Sequence, residues 1–225
     1  MKIRALPKPA IALATAALAL VDAPALAGVV TFDYAIEFSG GASPEGPVPW
    51  LRATFTDVDG SVTLDLTALN LSGTEFVSKW LFNLDPALDP DSLSIAYEDG
   101  VVPDSIETEM DDLHGAGGTR FDVLFSFPTS HGPGRFDAGD HSTFLITWTG
   151  LGSPLSASSF SFLTSEHGLG PLLSAAHVQG IGEADDSGWV APSEETPVPE
   201  PGTLLLLGTS LLGVARYVRR RTGGR

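Results

Sequence analysis

Residues 30–38 read Val-Thr-Phe-Asp-Tyr-Ala-Ile-Glu-Phe, apolar side chains alternating with small or polar ones without a slip. In a strand, successive side chains point to opposite faces, so this run makes one oily face and one wet face. The pattern recurs at Val62/Leu64/Leu66, Phe121/Val123/Phe125/Phe127, Phe144/Ile146/Trp148 and Phe160/Phe162. Between the runs lie clusters of Gly, Pro, Asp and Ser at 40–49, 85–91, 131–140 and 168–171. Such residues favour turns for steric and hydrogen-bonding reasons. No stretch between Gly28 and Val190 carries a sustained helical period with caps. Several short strands, each needing one face covered, predict two antiparallel sheets packed face to face. The expectation is an all-β sandwich or jelly-roll-like ectodomain over 28–190.

The segments on either side carry different signals. Lys2, Arg4 and Lys8 form a basic head, and Ala10 to Val21 is an uncharged run of twelve residues. Pro24 breaks the helix, and Ala25-Leu26-Ala27 puts small residues where signal peptidase reads. That is the layout of a secretory signal peptide over 1–27, cut between Ala27 and Gly28, which places the body outside the cytoplasm. After the body, residues 191–197 (Ala-Pro-Ser-Glu-Glu-Thr-Pro) lack a bulky apolar side chain and read as an exposed linker. Gly202 to Ala215 is uncharged for fourteen residues, short against the twenty or so that a lasting bilayer span needs. Arg216 can snorkel to a headgroup. Arg219, Arg220 and Arg221 form a basic stop cluster that the positive-inside rule keeps cytoplasmic.

Charge and cysteine content narrow the partners. Between Gly28 and Val198 the bases are Arg52, Lys79, Arg120 and Arg135, set against 26 acids, a formal charge of −22. Nucleic acid, whose phosphates need lysine and arginine, is excluded as a partner. Such a surface favours solubility and attracts cations. An exported chain with no cysteine has no disulfide staples and no thiol chemistry, so the fold must rest on its core.

Just upstream of the apolar stretch stands Val198-Pro199-Glu200-Pro201. This motif, then Thr203–Leu207 and Leu211–Val214, then Arg219–Arg221, resembles the PEP-CTERM sorting tail of Gram-negative bacteria. The resemblance implies recognition by an exosortase, a membrane-embedded cysteine-type transpeptidase. It implies a transient inner-membrane anchor at 198–225, then release or re-attachment at the cell surface, usually alongside exopolysaccharide and biofilm production. Thr222–Arg225 trail beyond the usual pattern. The body resembles a recurring ectodomain of PEP-CTERM proteins through residues 49–86, 175–182 and 187–190, and that resemblance carries no assigned activity.

No catalytic constellation stands out in the body. The five histidines fall in no His-Glu-x-x-His frame, and no Gly-x-Ser-x-Gly elbow occurs. Glu75 and Glu166, each beside an aromatic-bearing strand, are the carboxylates to watch for glycosidase chemistry, against a plainer reading as solvated loop acids. Asp57-Val58-Asp59-Gly60 resembles the first half of a calcium loop. Its twelfth position is Ala68, so an EF-hand's bidentate glutamate is missing, and a hairpin turn is the stronger reading. Asp85, Asp89 and Asp91 offer further oxygens for a cation such as calcium, although no cofactor is required. His177 reads as a packed or hydrogen-bonded strand residue, and Trp148 as core. Trp50, after the Pro-rich loop, is the tryptophan expected to stack on a sugar ring. Two function classes follow: a non-catalytic surface or matrix protein binding exopolysaccharide or calcium, and a secreted carbohydrate hydrolase or lyase on a jelly-roll scaffold.

Overall fold

The structure, a computed structural model, describes residues 27–132, 134–150, 154–165 and 167–193. Eleven strands follow one another among the described residues. They are β1 (Val29–Glu37), β2 (Leu51–Val58), β3 (Ser61–Ala68), β4 (Phe76–Phe82), β5 (Leu93–Gly100), β6 (Ser105–His114), β7 (Arg120–Ser126), β8 (Phe136–Asp137), β9 (His141–Trp148), β10 (Ser174–Ile181) and β11 (Asp186–Pro192). The helical elements among the described residues are short 3-10 turns at Pro90–Ser92, Ala116–Gly118 and Ala157–Phe160.

Every strand pairing among the described residues is antiparallel. Instead of two separate sheets there is one continuous sheet, in the order β5-β9-β3-β2-β1-β11-β10-β4-β7-β6, with β8 against β4. The β1–β11 ladder joins what would otherwise be two layers, through Ile36 opposite Ala191 and Glu37 opposite Val190. The sheet curls until its halves face each other. Between β5 and β6 the chain bonds first to the β9 side (Val101 N–H to His141 O, 2.9 Å) and then to the β7 side (Asp104 N–H to Ser126 O, 2.7 Å). The two sheet edges therefore lie close, and the barrel is nearly closed.

Alternation decides which side chains fill the interior. Val30, Phe32 and Tyr34 of β1 are buried while their neighbours are not, and β3 shows the same two-residue period. Facing aromatics lock the halves together. Phe82 of β4 lies edge-on to Phe55 of β2 at 5.1 Å and stacks near Phe32 of β1 at 6.5 Å. Tyr34 meets Trp80 edge-on at 5.2 Å, and Phe125 of β7 lies 4.7 Å from Phe144 of β9. Fully burying one such ring is worth about 1.5–3 kcal/mol relative to leaving it in water. The buried Tyr34 hydroxyl shares a hydrogen bond with Ser174 Oγ, which itself donates to the Leu81 carbonyl at 2.6 Å. Burial pushes the Tyr34 phenol's pKa up, more than the Ser174 bond pulls it down.

A second apolar cluster occupies the opposite face of β4, β7 and β10, built from Leu81, Leu113, Phe121, Leu124 and Ala175, with Phe38, Leu172 and Trp189 packed on it. That makes β4 buried on both faces. The edge strands β5 and β6 are largely exposed and carry much of the acid, including Glu98, Asp99, Glu107, Glu109, Asp111 and Asp112. Charges along an open edge oppose pairing with a second chain.

Two expectations are corrected. Phe160 and Phe162 do not alternate in a strand, because Ser156 and Ser159 close a capping box that starts a 3-10 turn there. Phe160 still reaches the core, stacked 4.3 Å from Phe55. Ala191 and Pro192, expected in the linker, are the end of β11, and the following Ser193 N–H donates to the Asp33 carbonyl at 3.1 Å.

Candidate functional site at the C-terminal exit

β11 ends where the body gives way to the tail, and a bulge between Tyr34 and Ile36 marks the partner strand at that point. Beside it lies an apolar groove of about 600 Å³, lined by Ile36, Phe38, Leu163, Leu172, Leu173 and Pro192 among others. Its outer wall is the segment leading from the 3-10 turn to β10. That wall is held by Asn83, 2% exposed, whose amide nitrogen donates toward the carbonyls of Phe162, Leu172 and Leu173 at 2.9–3.1 Å. The Thr164 N–H donates to Leu172 O and the Leu172 N–H to Thr164 Oγ1, clipping the segment to itself. Nothing in the sequence singles out Asn83, because its role depends on partners roughly eighty to ninety residues away.

The candidate cation ligands do not converge. Asp57 accepts the N–H of Gly28 at 3.0 Å on one oxygen and that of Ala157 at 2.5 Å on the other. Asp59 is the first residue of the β2–β3 turn, with Asp59 at φ 46° and Gly60 at φ 81°. Asp85 accepts the N–H of Ala87, and Asp89 caps the following 3-10 turn by accepting the N–H of Asp91. Among the described residues no three His, Asp or Glu side chains come together to hold a metal ion.

Trp50 is corrected from exposed platform to core. It is 6% exposed, and its indole N–H donates to the Gly46 carbonyl at 2.7 Å. The proline-rich loop before it folds back over the ring. Glu75 is likewise no solvated loop acid. It is 1% exposed and accepts the N–H groups of Glu45 and Ser72, at 2.7 and 2.8 Å, one on each oxygen. Glu166 lies outside the described residues. His177 is packed as expected, stacked 4.6 Å from Trp189 and hydrogen-bonded to Ser78 at 2.9 Å. Burial, reinforced by the charge of Lys79, pulls its pKa down to about 4.

Two further arrangements escaped the sequence reading. Asp122 is buried and accepts the N–H groups of Leu84 and Asp111, both at 2.8 Å. Burial raises its pKa more than those bonds lower it. Arg135, with its side chain 10% exposed, lies over the Phe76 ring at 4.3 Å and donates from Nε to Asp137 at 2.5 Å. It borders a polar cavity of about 410 Å³ with His131, Gln179 and Asp185.

No helix of the described residues is long and apolar enough to cross a membrane. The residues expected to carry sorting, Val198, Pro199, Glu200 and Pro201 with Arg216, Arg219, Arg220 and Arg221, lie outside the described residues, as do most of the expected signal peptide and the span. No curated protein and no solved structure matches the chain. One family model does match, that of the PEP-CTERM protein-sorting motif, over residues 197–221. The match begins four residues past Ser193, whose N–H is bonded to the Asp33 carbonyl, and the chain therefore carries a PEP-CTERM protein-sorting motif, the mark of an exported protein that an exosortase processes.

Proposed function

We propose that the chain is a surface or extracellular-matrix protein whose β-body serves without catalysis, in association with exopolysaccharide. On this reading residues 1–27 are removed by signal peptidase. Residues 202–218 then hold the precursor in the inner membrane, with Arg219–Arg221 on the cytoplasmic side. The exosortase acts at Pro199-Glu200-Pro201, and the body passes to the cell surface or the matrix. The observation that carries the reading is the sorting motif at 197–221, placed directly after a body whose strand ladder finishes at Pro192.

The carboxylates support a structural body. Asp57, Glu75 and Asp122 each use both oxygens to hold backbone N–H groups of separate segments. Two of the roughly four acceptor positions of each carboxylate are thereby spent on joining distant stretches of backbone, a structural role. The test is cell fractionation of the native host with and without its exosortase gene. The reading expects a tail-less protein at the surface or in the medium of the wild type. It expects full-length protein in the inner membrane of the deletion strain. An unchanged distribution would refute it.

A further inference from the structure

We infer that the apolar groove at the C-terminal exit is a docking surface for the sorting enzyme, which thereby reads the folded body as well as the tail. This rests on the exosortase reading and adds a second contact to it. Five residues, 194–198, separate Ser193 from Pro199. A chain spans at most about 3.5 Å per residue, so Pro199 stands within roughly 20 Å of Ser193 by any path. A stable protein interface covers about 800 Å² on each partner, a patch roughly 30 Å across. An enzyme seated on Pro199-Glu200-Pro201 therefore meets the body around Ser193.

What it meets there is apolar. Pro192 forms one wall of the groove, Ile36 and Phe38 the next, and Leu163 with Leu172 the far one, with no charged residue in the lining. Ile36 is 42% exposed and Leu163 59%. Scattered exposed apolar side chains need no explanation, but a lined concavity of about 600 Å³ on a body this acidic does. The shape favours a protein over a lipid surface, because a concave groove admits a protruding side chain and a flat bilayer supplies none. Charge argues the same way, since a body with four bases and 26 acids is repelled by anionic headgroups. The occupant this site fits is an apolar protrusion on the extracytoplasmic face of the enzyme.

The experiment is a pulse-chase of tail removal in the native host, using the full chain. Leu163→Asp and Ile36→Asp place a charge in the groove at exposed positions, and Val102→Asp, at another exposed apolar residue outside its lining, is the control. Circular dichroism of each purified chain checks the fold. Tail removal is expected to slow about tenfold or more in both groove variants and to keep the wild-type rate in Val102→Asp. Groove variants processed at the wild-type rate, while Glu200→Ala blocks processing, would overturn the docking inference and leave the sorting reading intact. Wild type and Glu200→Ala both keeping their tails would remove the sorting reading and the docking inference with it. Leu163-dependent binding of the processed protein to phosphatidylethanolamine–phosphatidylglycerol vesicles would assign the groove to lipid and likewise overturn it.

Discussion

Asp57 receives the backbone N–H of Gly28 on one carboxylate oxygen and that of Ala157 on the other, tying the first strand's entry to the 3-10 turn at Ala157–Phe160 in a chain without cysteine. Each bond is charge-assisted; the part-buried bond to Ala157 contributes about 1.5–3 kcal/mol, and the exposed bond to Gly28 contributes less. Asp57→Ala should lower unfolding stability by about 2–3 kcal/mol, with Asp57→Asn, which keeps one acceptor, in between. Urea titration of the purified protein checks this. If signal peptidase cuts after Ala27, the Gly28 nitrogen becomes an ammonium facing the same carboxylate, so Asp57→Ala should weaken the mature protein more than its precursor.

The β2–β3 hairpin gives a second expectation. Val58 pairs with Ser61 across Asp59-Gly60, and both turn residues have positive φ, the geometry of a type I′ turn. A Cβ on Gly60 would meet nothing within 4 Å. The penalty for Gly60→Ala is then conformational alone, about 1–2 kcal/mol for forcing an L-residue into the left-handed region. Asp59→Asn should stay within about 0.5 kcal/mol of wild type, because asparagine tolerates that region. Thermal unfolding of both variants is the check.

The same geometry bears on calcium. With Asp57 committed to two N–H groups and Asp59 at a turn, millimolar calcium should raise the melting temperature no further than magnesium at matched ionic strength. A calcium-specific rise, reversed by chelator, would show that acidic loops bind the ion after all. A ligand at one hundred times its dissociation constant adds about 2.7 kcal/mol, so the effect would be easy to see.

His177 sets a pH dependence. Its folded pKa is depressed to about 4 by burial and by Lys79, below the ordinary value of 6.5. The unfolded chain therefore takes up the proton first. The stability tied to the neutral ring is complete above pH 6.5, is lost as the pH falls toward 4, and changes no further below that. Relative to His177→Gln, wild-type stability should fall over that window with a slope of at most one proton. Parallel slopes for the two proteins would show that the ring titrates normally in the fold.

Legibility followed burial. Strands with one wet face, β1, β3 and β9, announce themselves by alternation, as does β7 through Phe121/Val123/Phe125 although both its faces are covered, and Asp59-Gly60 announces its hairpin. β4 does not, because both its faces are covered and Phe-Val-Ser-Lys-Trp-Leu-Phe runs nearly apolar throughout. β5 and β6 do so only weakly, since as exposed edges their short alternating runs, Leu93/Ile95/Tyr97 and Ile106/Met110, are cut off by Glu98-Asp99 and Asp111-Asp112. Two alternating phenylalanines, Phe160 and Phe162, were too few to tell a strand from a turn. Trp50 was misplaced because the proximity of a Pro-rich loop says nothing about whether that loop folds back. Asn83 and Asp122 could not be found, as each acts on backbone brought near only by the fold. The sorting motif was readable because its parts are consecutive in sequence and need no tertiary contact to be recognised.

The most direct test of the sorting account is the intact mass of the mature protein from its native host, compared with Glu200→Ala and with an exosortase deletion. The account predicts that the wild-type mass lacks everything beyond the Pro199-Glu200-Pro201 region, and that both comparison strains retain the tail. Wild-type protein at the cell surface still carrying Arg219 to Arg225 would contradict it.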